Sequence, residues 1–337
     1  MTVVSEELIN VFNMGKEEIE REFSPYFFHY NRAMFDSPEA SLEAYSEHYK
    51  CIFDIIQGKG KRILDLGCGF GISSIQFAVF GAQLVNAIDA NEEKIEIFQK
   101  ILQRFNPPLN NLEIKLADAL SLKYGDNYFD SIVADEVISH VRDLNKFIQE
   151  THRVLRKGGV CYISDGNNAL DIRSRHHRRQ WWRTWEYGPI AESIRRGTDN
   201  PLPWLYIRRQ MIEEKCSDFE PKVLDFLAKE TAGMYGQQIL QAVDDYLQKG
   251  RVLNKPSFKF KNPETGEFNE FEFNPFRLKK QLEDNGFSVQ ILKPSFQITS
   301  YHSISAILRN LAIHGIKIFH PMSLLVAPRF EILARKL

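Results

Sequence analysis

The chain has 337 residues, of which 43% are hydrophobic, and a formal net charge of −1. This composition is typical of a globular protein with one large domain or with a core domain and additions. So small a net charge provides no overall attraction to nucleic acid or to an anionic membrane, so we expect neither partner. The 4 cysteines show no C-x-x-C spacing, which disfavours a zinc site or a disulfide framework and indicates a cytoplasmic protein.

Residues 1–57 are predicted to form an N-terminal helical cap. Leu42, Tyr45 and Tyr49 recur every three or four positions, as apolar residues do on one face of a helix. The start of the chain has no basic segment followed by an apolar one, so we expect no secretion signal. No apolar run approaches the roughly 20 residues that a membrane-spanning helix needs.

The segment 63–71, ILDLGCGFG, predicts a short apolar strand, a glycine-rich turn and the start of a helix over 72–80. Without Cβ atoms, the backbone of such a turn can come very close to a ligand. The first N–H groups of the helix point into the same crevice. The next predicted strand, 83–89, ends in Asp89, whose carboxylate can accept hydrogen bonds from both hydroxyls of a ribose. The sequence therefore predicts a site for an adenosine-containing cofactor.

The glycine spacing favours S-adenosylmethionine over NAD. A dinucleotide site requires G-x-G-x-x-G, but the position of its last glycine is occupied by Ile72, and the third glycine is Gly71. Asp65 lies inside the first strand, just before the turn. A carboxylate there would repel a pyrophosphate, whereas it suits a ligand with an ammonium and a sulfonium group.

From 61 to 164, predicted strands and helices alternate, which indicates a parallel sheet with helices on both faces. The strand before the glycine-rich turn is predicted over 62–66. Further strands are predicted over 112–117, 130–135 and 160–164, and further helices over 92–105 and 144–156. Asp143 is the predicted N-cap of the helix 144–156, and Gly158 is its predicted C-terminal stop.

The alternation ends after Asp165. The chain is predicted to comprise the cap (1–57), a cofactor-binding core (58–165), a mainly helical lid insertion ending in a β-hairpin (166–275), and a return to the core sheet (276–337) with a second insertion at about 294–327. Within the last region we predict a helix over 276–285, a strand over 287–292 and a closing strand over 330–335. We expect the lid, together with the aromatic stretch 26–30, to face the acceptor substrate.

Four segments resemble those of class I S-adenosylmethionine-dependent methyltransferases. They are 65–71 (DLGCGFG), 87–89 (AID), 116–119 (LADA) and 153–159 (RVLRKGG). The resemblance implies an α/β, Rossmann-like sheet of seven strands, mostly parallel with the last strand antiparallel. The predicted cofactor-binding residues are Asp65, Gly67, Cys68, Gly69, Gly71, Asp89, Ala90, Asp118, Ala119 and Asp135. Within this set, the resemblance places Asp118 at the adenine amino group. Asp135 closes the fourth predicted strand beside the crevice, so we expect a contact to the methionine end of the cofactor, through its side chain or through backbone atoms.

His140 is the candidate catalytic residue. The segment 135–140, DEVISH, resembles phosphoethanolamine methyltransferases, in which a histidine so placed acts as general base. A neutral imidazole can take a proton from a hydroxyl at about pH 7 while the oxygen attacks the methyl group. The alternative is a histidine that only donates a hydrogen bond or packs under the lid.

A basic and aromatic cluster follows the fifth predicted strand. Its members are Arg173, Arg175, His176, His177, Arg178, Arg179, Trp181, Trp182 and Arg183. It indicates either a clamp for an acidic or phosphorylated acceptor or a solvated helix face whose tryptophans pack on a core.

We predict no metal site. The ligands of such a site would have to be Asp135, Asp165 and Asn167, but Gly166 separates the last two.

The sequence therefore predicts a methyltransferase that acts on a small or medium organic acceptor, by O-methylation with His140 as candidate general base. Two alternatives stay open: a regulatory or sensor protein that binds S-adenosylmethionine without turnover, and a methyltransferase of RNA or protein. The sequence does not determine the acceptor or the oligomeric state.

Overall fold

The computed structural model describes residues 3–105, 108–189, 202–256, 261–264, 266, 270–293, 320 and 322–337. The chain divides into two compact units. The first comprises Met1–Ile172 and Glu272–Leu337, and the second comprises Arg173–Phe271. The predicted division into cap, core, lid and return segment stays a prediction. Among the described residues, no helix has both the length and the apolar character needed to cross a membrane.

A 7-stranded sheet forms the centre of the first unit. Its strands are β1 (Arg62–Leu66), β2 (Leu84–Asp89), β3 (Leu112–Leu116), β4 (Phe129–Asp135), β5 (Leu155–Asp165), β6 (Phe287–Ile291) and β7 (Phe330–Lys336). They are ordered β3-β2-β1-β4-β5-β7-β6. The pairs from β3 to β5 are parallel, while β7 runs antiparallel to both β5 and β6. This order and direction confirm the predicted Rossmann-like sheet.

The described helices of this unit surround the sheet. They are α1 (Val3–Phe12), α2 (Lys16–Glu22), α3 (Pro25–Tyr30), α4 (Arg32–Asp36), α5 (Pro38–Ile55), α6 (Ile72–Val79), α7 (Glu92–Leu102), α8 (Leu144–Val154) and α13 (Pro275–Asp284). The central strands are largely buried, and Ile63 of β1 and Ile132 of β4 are fully buried. This is expected for parallel strands that helices cover on both faces.

The carboxyl ends of β1 and β4 lie side by side, since Leu66 pairs with Ala134. The chain continues from β1 to β2 on one side of this point, and from β4 to β5 on the other. In open α/β sheets, ligands bind in the crevice outside the strand ends at such a switch point. The topology therefore places a binding site next to the glycine-rich turn.

The predicted end of the helix 144–156 is wrong. Asp143 is its N-cap, as predicted, and accepts the Lys146 N–H at 3.0 Å. The helix ends at Val154, however, and β5 begins at Leu155 rather than at 160. Leu155 is fully buried and pairs with Phe129 of β4, so burial and sheet pairing override the local helix signal. Gly158 consequently lies within a strand and does not stop the helix.

Two other predictions fall mostly outside the described residues. Of the predicted hairpin, residues 258–260 and 268–269 are outside, and so are residues 294–319 and 321 of the second insertion. The closing strand is confirmed as β7, and its antiparallel direction matters for the site.

The second unit is helical where it is described. Its helices are α9 (Ile172–Tyr187), α10 (Trp204–Lys215), α11 (Pro221–Glu230) and α12 (Gln237–Lys249). Arg208 of α10 is fully buried, donates to the Ala228 carbonyl at 2.8 Å and pairs with Glu186 of α9. The predicted basic cluster lies on α9, where Trp182 is buried and Trp181 is exposed. Part of that cluster thus has a structural role within the unit.

Candidate active site

The glycine-rich turn between β1 and α6 has one side that packs and one side that is open. Gly71 has a φ of +86°, and a Cβ there would lie 2.0 Å from the Phe98 ring. Gly69 has a φ of +57°, but a Cβ there would meet nothing within 4 Å. Gly71 is therefore required by the packing of α7, whereas the backbone at Gly69 faces open space that a ligand can occupy.

Asp89 lies against this turn, as the sequence predicts. Its Oδ2 accepts the Gly69 N–H at 2.9 Å, and its Oδ1 accepts the Asn91 N–H at 2.8 Å. These bonds fix the carboxylate at the end of β2. Each oxygen has a second lone pair, which can accept a further hydrogen bond from a ligand hydroxyl. Ala90, the residue that follows, is exposed.

Asp65 is a buried carboxylate at the end of β1. Its Oδ2 accepts hydrogen bonds from the hydroxyls of Ser73 and Ser74, both at 2.6 Å. Burial raises its pKa from 3.8 to about 6, although the two serine hydrogen bonds lower it in part. The two serines, in the first turn of α6, are functional neighbours that the sequence analysis missed. A cation bound beside Asp65 would offset the cost of burying its charge.

The other predicted cofactor residues lie on neighbouring strand ends. Asp118 follows β3, accepts the Leu120 N–H at 2.8 Å and pairs with Arg142 at 3.2 Å. Ala119 packs against the main apolar core. Cys68 is buried, and its N–H donates to the Ile88 carbonyl at 2.9 Å. Its contribution to the turn is therefore made by the backbone.

A polar cluster that the sequence did not predict surrounds Asp135 at the end of β4. Its Oδ2 lies 3.3 Å from His48 Nε2, and its Oδ1 accepts hydrogen bonds from Ser164 and Arg329. Arg329 also pairs with Glu136 at 2.6 Å. We call these residues the Asp135 cluster: His48, Asp135, Glu136, Ser164 and Arg329.

The two carboxyls of this cluster differ in their protonation. Although burial favours the acid form, the hydrogen bond from His48 and the charge of Arg329 hold the pKa of Asp135 below its usual value. The Glu136 side chain is half exposed, and partial desolvation raises its pKa from 4.5 to about 7, against the opposing charge of Arg329. Of the two carboxyls in this cluster, Asp135 is therefore the one that holds its negative charge more firmly.

Chain connectivity explains why the cluster was missed. Arg329 immediately precedes β7, and the antiparallel register pairs Phe330 with Asp165 at the end of β5. His48 comes from α5, where Tyr45 and Tyr49 lie on the same helix beside it. The local signal for it was a histidine on the apolar face of that helix, three residues after Tyr45 and four before Ile52.

His140 lies in the 3-10 turn Ile138–His140 directly after β4, and its side chain is exposed. The turn is held by Asp165, whose Oδ2 accepts the Ser139 N–H at 3.0 Å. The structure thus places His140 near the strand end at which it was expected. Its role as a base stays a prediction.

The aromatic stretch of α3 packs on the glycine-rich turn. Phe70 lies within that turn. Its ring centroid is 5.9 Å from that of Tyr26, 4.9 Å from that of Phe27 and 5.4 Å from that of Tyr30. The N-terminal helices therefore help to shape the cofactor side of the crevice.

Within the described ranges, no three histidine, cysteine, aspartate or glutamate side chains are grouped as a metal site. Asp165, one of the residues considered for such a site, uses Oδ1 to accept the Asn167 N–H at 2.9 Å.

Sequence similarity agrees with this geometry. Residues 57–217 match a family described as a methyltransferase domain. This match supports the class I, S-adenosylmethionine-dependent methyltransferase superfamily for that part of the chain. The chain is 35% identical over 114 residues to a ubiquinone biosynthesis O-methyltransferase of Pelagibacter ubique, covering 33% of this chain and 45% of the relative. It is 30% identical over 154 residues to the sterol 24-C-methyltransferase erg6 of Aspergillus fumigatus, covering 45% of this chain and 40% of the relative.

Among solved structures, a S-adenosylmethionine-dependent methyltransferase from Mesorhizobium loti aligns with a TM-score of 0.44 and 15% identity, covering 88% of this chain and 100% of that one. The chain spans less than half of the length of the two curated relatives, 45% and 40%.

The residues of the methyltransferase domain fit the cofactor of its superfamily. The open side of Gly69 leaves room for a ligand where a Cβ would project. Asp89 lies beside that space, because it accepts the Gly69 N–H, and its carboxylate suits a ribose diol. Asp65 is a second, buried carboxylate at the end of β1, and its charge suits an ammonium group.

Proposed function

We propose that the chain is an S-adenosylmethionine-dependent methyltransferase that O-methylates a small or medium organic acceptor. The observation that carries the proposal is the open glycine turn between Asp65 and Asp89, next to the Asp135 cluster. The printed names of the relatives, an O-methyltransferase of ubiquinone biosynthesis and a sterol C-methyltransferase, support a small-molecule acceptor.

Each residue has a task in this proposal. Asp89 accepts the ribose hydroxyls, Asp65 pairs with the ammonium group, and Asp118 accepts from the adenine amino group. When bound, the cofactor supplies a methyl group that is already activated on a sulfonium. The protein therefore has mainly to align the acceptor and exclude water, and positioning of this kind can supply roughly 7–11 kcal/mol.

Two further proposals concern the acceptor side. The lid role of 166–275 follows only from its connection to β5, whose carboxyl end opens on the crevice. An acidic or phosphorylated acceptor is supported only by the basic residues of α9.

The direct test combines calorimetry with labelled S-adenosylmethionine and a metabolite extract. We expect S-adenosylmethionine to bind and S-adenosylhomocysteine to be released when the extract is added. Binding without release would favour the sensor alternative. Tighter binding of NAD than of S-adenosylmethionine would overturn the cofactor assignment.

Cofactor binding is expected to weaken as the pH falls below about 6 and to release protons near that pH. Asp65 has a folded-state pKa of about 6, above its ordinary value of 3.8, so a bound ammonium group must displace its proton. In the free protein, the effect of pH on folding stability runs in the opposite direction from its effect on cofactor binding. The contribution of Asp65 to stability is fully present below about pH 4 and is lost as the pH rises through 6.

The measurement is calorimetry of S-adenosylmethionine binding in buffers of different ionisation enthalpy, from pH 5 to pH 8. Asp65→Asn is the matched variant, because it keeps the shape and cannot titrate. Equal proton release by the wild type and by Asp65→Asn would exclude Asp65 as the coupled group.

His140 is the candidate base that the sequence supplies. If His140 takes the acceptor's proton, His140→Ala should lower turnover by roughly 10²–10⁴-fold while cofactor affinity stays unchanged. If it only orients the acceptor, the loss should be small and nearly independent of pH. Turnover measured against pH for both proteins decides between these roles.

A further inference from the structure

His48 is held in one place by its helix. Ser46, two residues earlier on α5, donates to Gln76 of α6 at 3.3 Å. Tyr49 packs edge-on against Phe77 of α6, with ring centroids 5.9 Å apart. These contacts join α5 to the helix that follows the glycine-rich turn. His48 therefore belongs to the same rigid framework as the cofactor-binding residues.

The contact between His48 and Asp135 determines which imidazole nitrogen carries the proton. Asp135 Oδ2 can only accept, because its carboxyl is ionised, so Nε2 of His48 is the donor across the 3.3 Å separation. In the neutral ring, Nδ1 then holds the lone pair. Among the described residues, Nδ1 has no hydrogen-bond partner.

A carboxylate behind an imidazole has a defined chemical effect. It fixes the ring's tautomer and stabilises the imidazolium that forms when the other nitrogen takes a proton. Asp135 can do this because Ser164 and Arg329 hold its second oxygen, and because its side chain is only 12% exposed. The side chain of His48 is 20% exposed, so it is shielded from water and still accessible. His140, in contrast, is exposed.

We propose that Nδ1 of His48 takes the proton of the acceptor hydroxyl and that Asp135 is the positioning residue for His48. This proposal rests on the proposed function. The O–H bond breaks and an N–H bond forms at Nδ1, while the oxygen's electron pair bonds to the methyl carbon. The carbon–sulfur pair stays with the sulfur, and His48 later releases its proton to solvent. In this proposal, His140 only orients the acceptor.

The decisive variant is His48→Gln. A glutamine amide can still donate to Asp135 from near the position of Nε2, but it has no basic nitrogen. With the extract that supports wild-type turnover, we expect turnover to fall by about 10²-fold or more while S-adenosylmethionine affinity and melting temperature stay unchanged. Glu47→Gln, an exposed neighbour on the same helix, is the matched control and should behave as wild type.

The pH profile provides a readout that a structural role would not change. A base that takes the acceptor's proton makes turnover rise with pH, so the wild type should show this rise and His48→Gln should lose it. His48 contacts Asp135 and Tyr49, and the titratable or charged groups around these two partners are Arg329, Glu136, Tyr45 and Asp65. Asp135→Asn should lower turnover and shift the profile without removing it.

A second measurement needs no acceptor. Nitrogen NMR of histidine-labelled protein with S-adenosylhomocysteine should show His48 as the Nε2–H tautomer, and Asp135→Asn should shift that equilibrium. The Nδ1–H tautomer in the wild type would overturn the proposal, and so would a His48→Gln enzyme with wild-type turnover and pH profile. A wild type that neither binds S-adenosylmethionine nor turns over would instead refute the proposed function, and this proposal with it.

Discussion

Replacing Asp89 with alanine is expected to weaken S-adenosylmethionine binding by roughly 2–4 kcal/mol, which is about 30- to 1000-fold in Kd. The variant loses one or two charge-assisted hydrogen bonds to the ribose diol. It also loses the bond that Oδ2 accepts from the Gly69 N–H at 2.9 Å, so the open side of the turn is less well ordered. Calorimetry with S-adenosylmethionine measures the change.

The matched control is Glu92→Ala. Glu92 is an exposed acid in the first turn of α7, three residues beyond Asp89, and removing it changes the net charge equally. The Glu92→Ala variant should bind S-adenosylmethionine with the affinity of the wild type. If Asp89→Ala binds the cofactor as tightly as this control, Asp89 does not contact the ribose.

Replacing Gly71 with alanine is expected to destabilise the protein by roughly 2–5 kcal/mol. Two causes add, because the residue has a φ of +86° and because the new Cβ would lie 2.0 Å from the Phe98 ring. Phe98 is fully buried, so the ring has no free space into which it can move. Urea unfolding, followed by circular dichroism, measures the loss.

Gly69→Ala separates the two causes. Gly69 also has a positive φ, +57°, but nothing lies within 4 Å of the added Cβ. Gly69→Ala should therefore lose only the folding stability that a side chain costs at a positive φ, about 1–2 kcal/mol. It should nevertheless weaken S-adenosylmethionine binding, because the Cβ projects into the space assigned to the cofactor. Equal losses of stability in the two variants would contradict the role given to Phe98.

The helix–strand boundary at Leu155 shows where local patterns fail. The residues from Leu144 onward have the spacing and the N-cap of a helix, and α8 forms as expected. The spacing alone cannot show that Leu155 will pair with Phe129, since that pairing depends on a strand more than twenty positions away in the chain. Tertiary burial therefore decided the boundary, and a glycine in β5 was misread as a helix stop.

The sequence by itself predicted the residues of the proposed cofactor half of the site. The glycine turn, Asp65 and Asp89 lie within one β1–α6–β2 unit, and the parallel pairing of β1 with β2 brings Asp89 to the turn. Only the tertiary structure decided the other half, the Asp135 cluster. His48, Asp135 and Arg329 lie on a cap helix, a central strand and the approach to the closing strand. They meet because α5 packs on α6 and β7 pairs antiparallel with β5, and no local spacing encodes either contact.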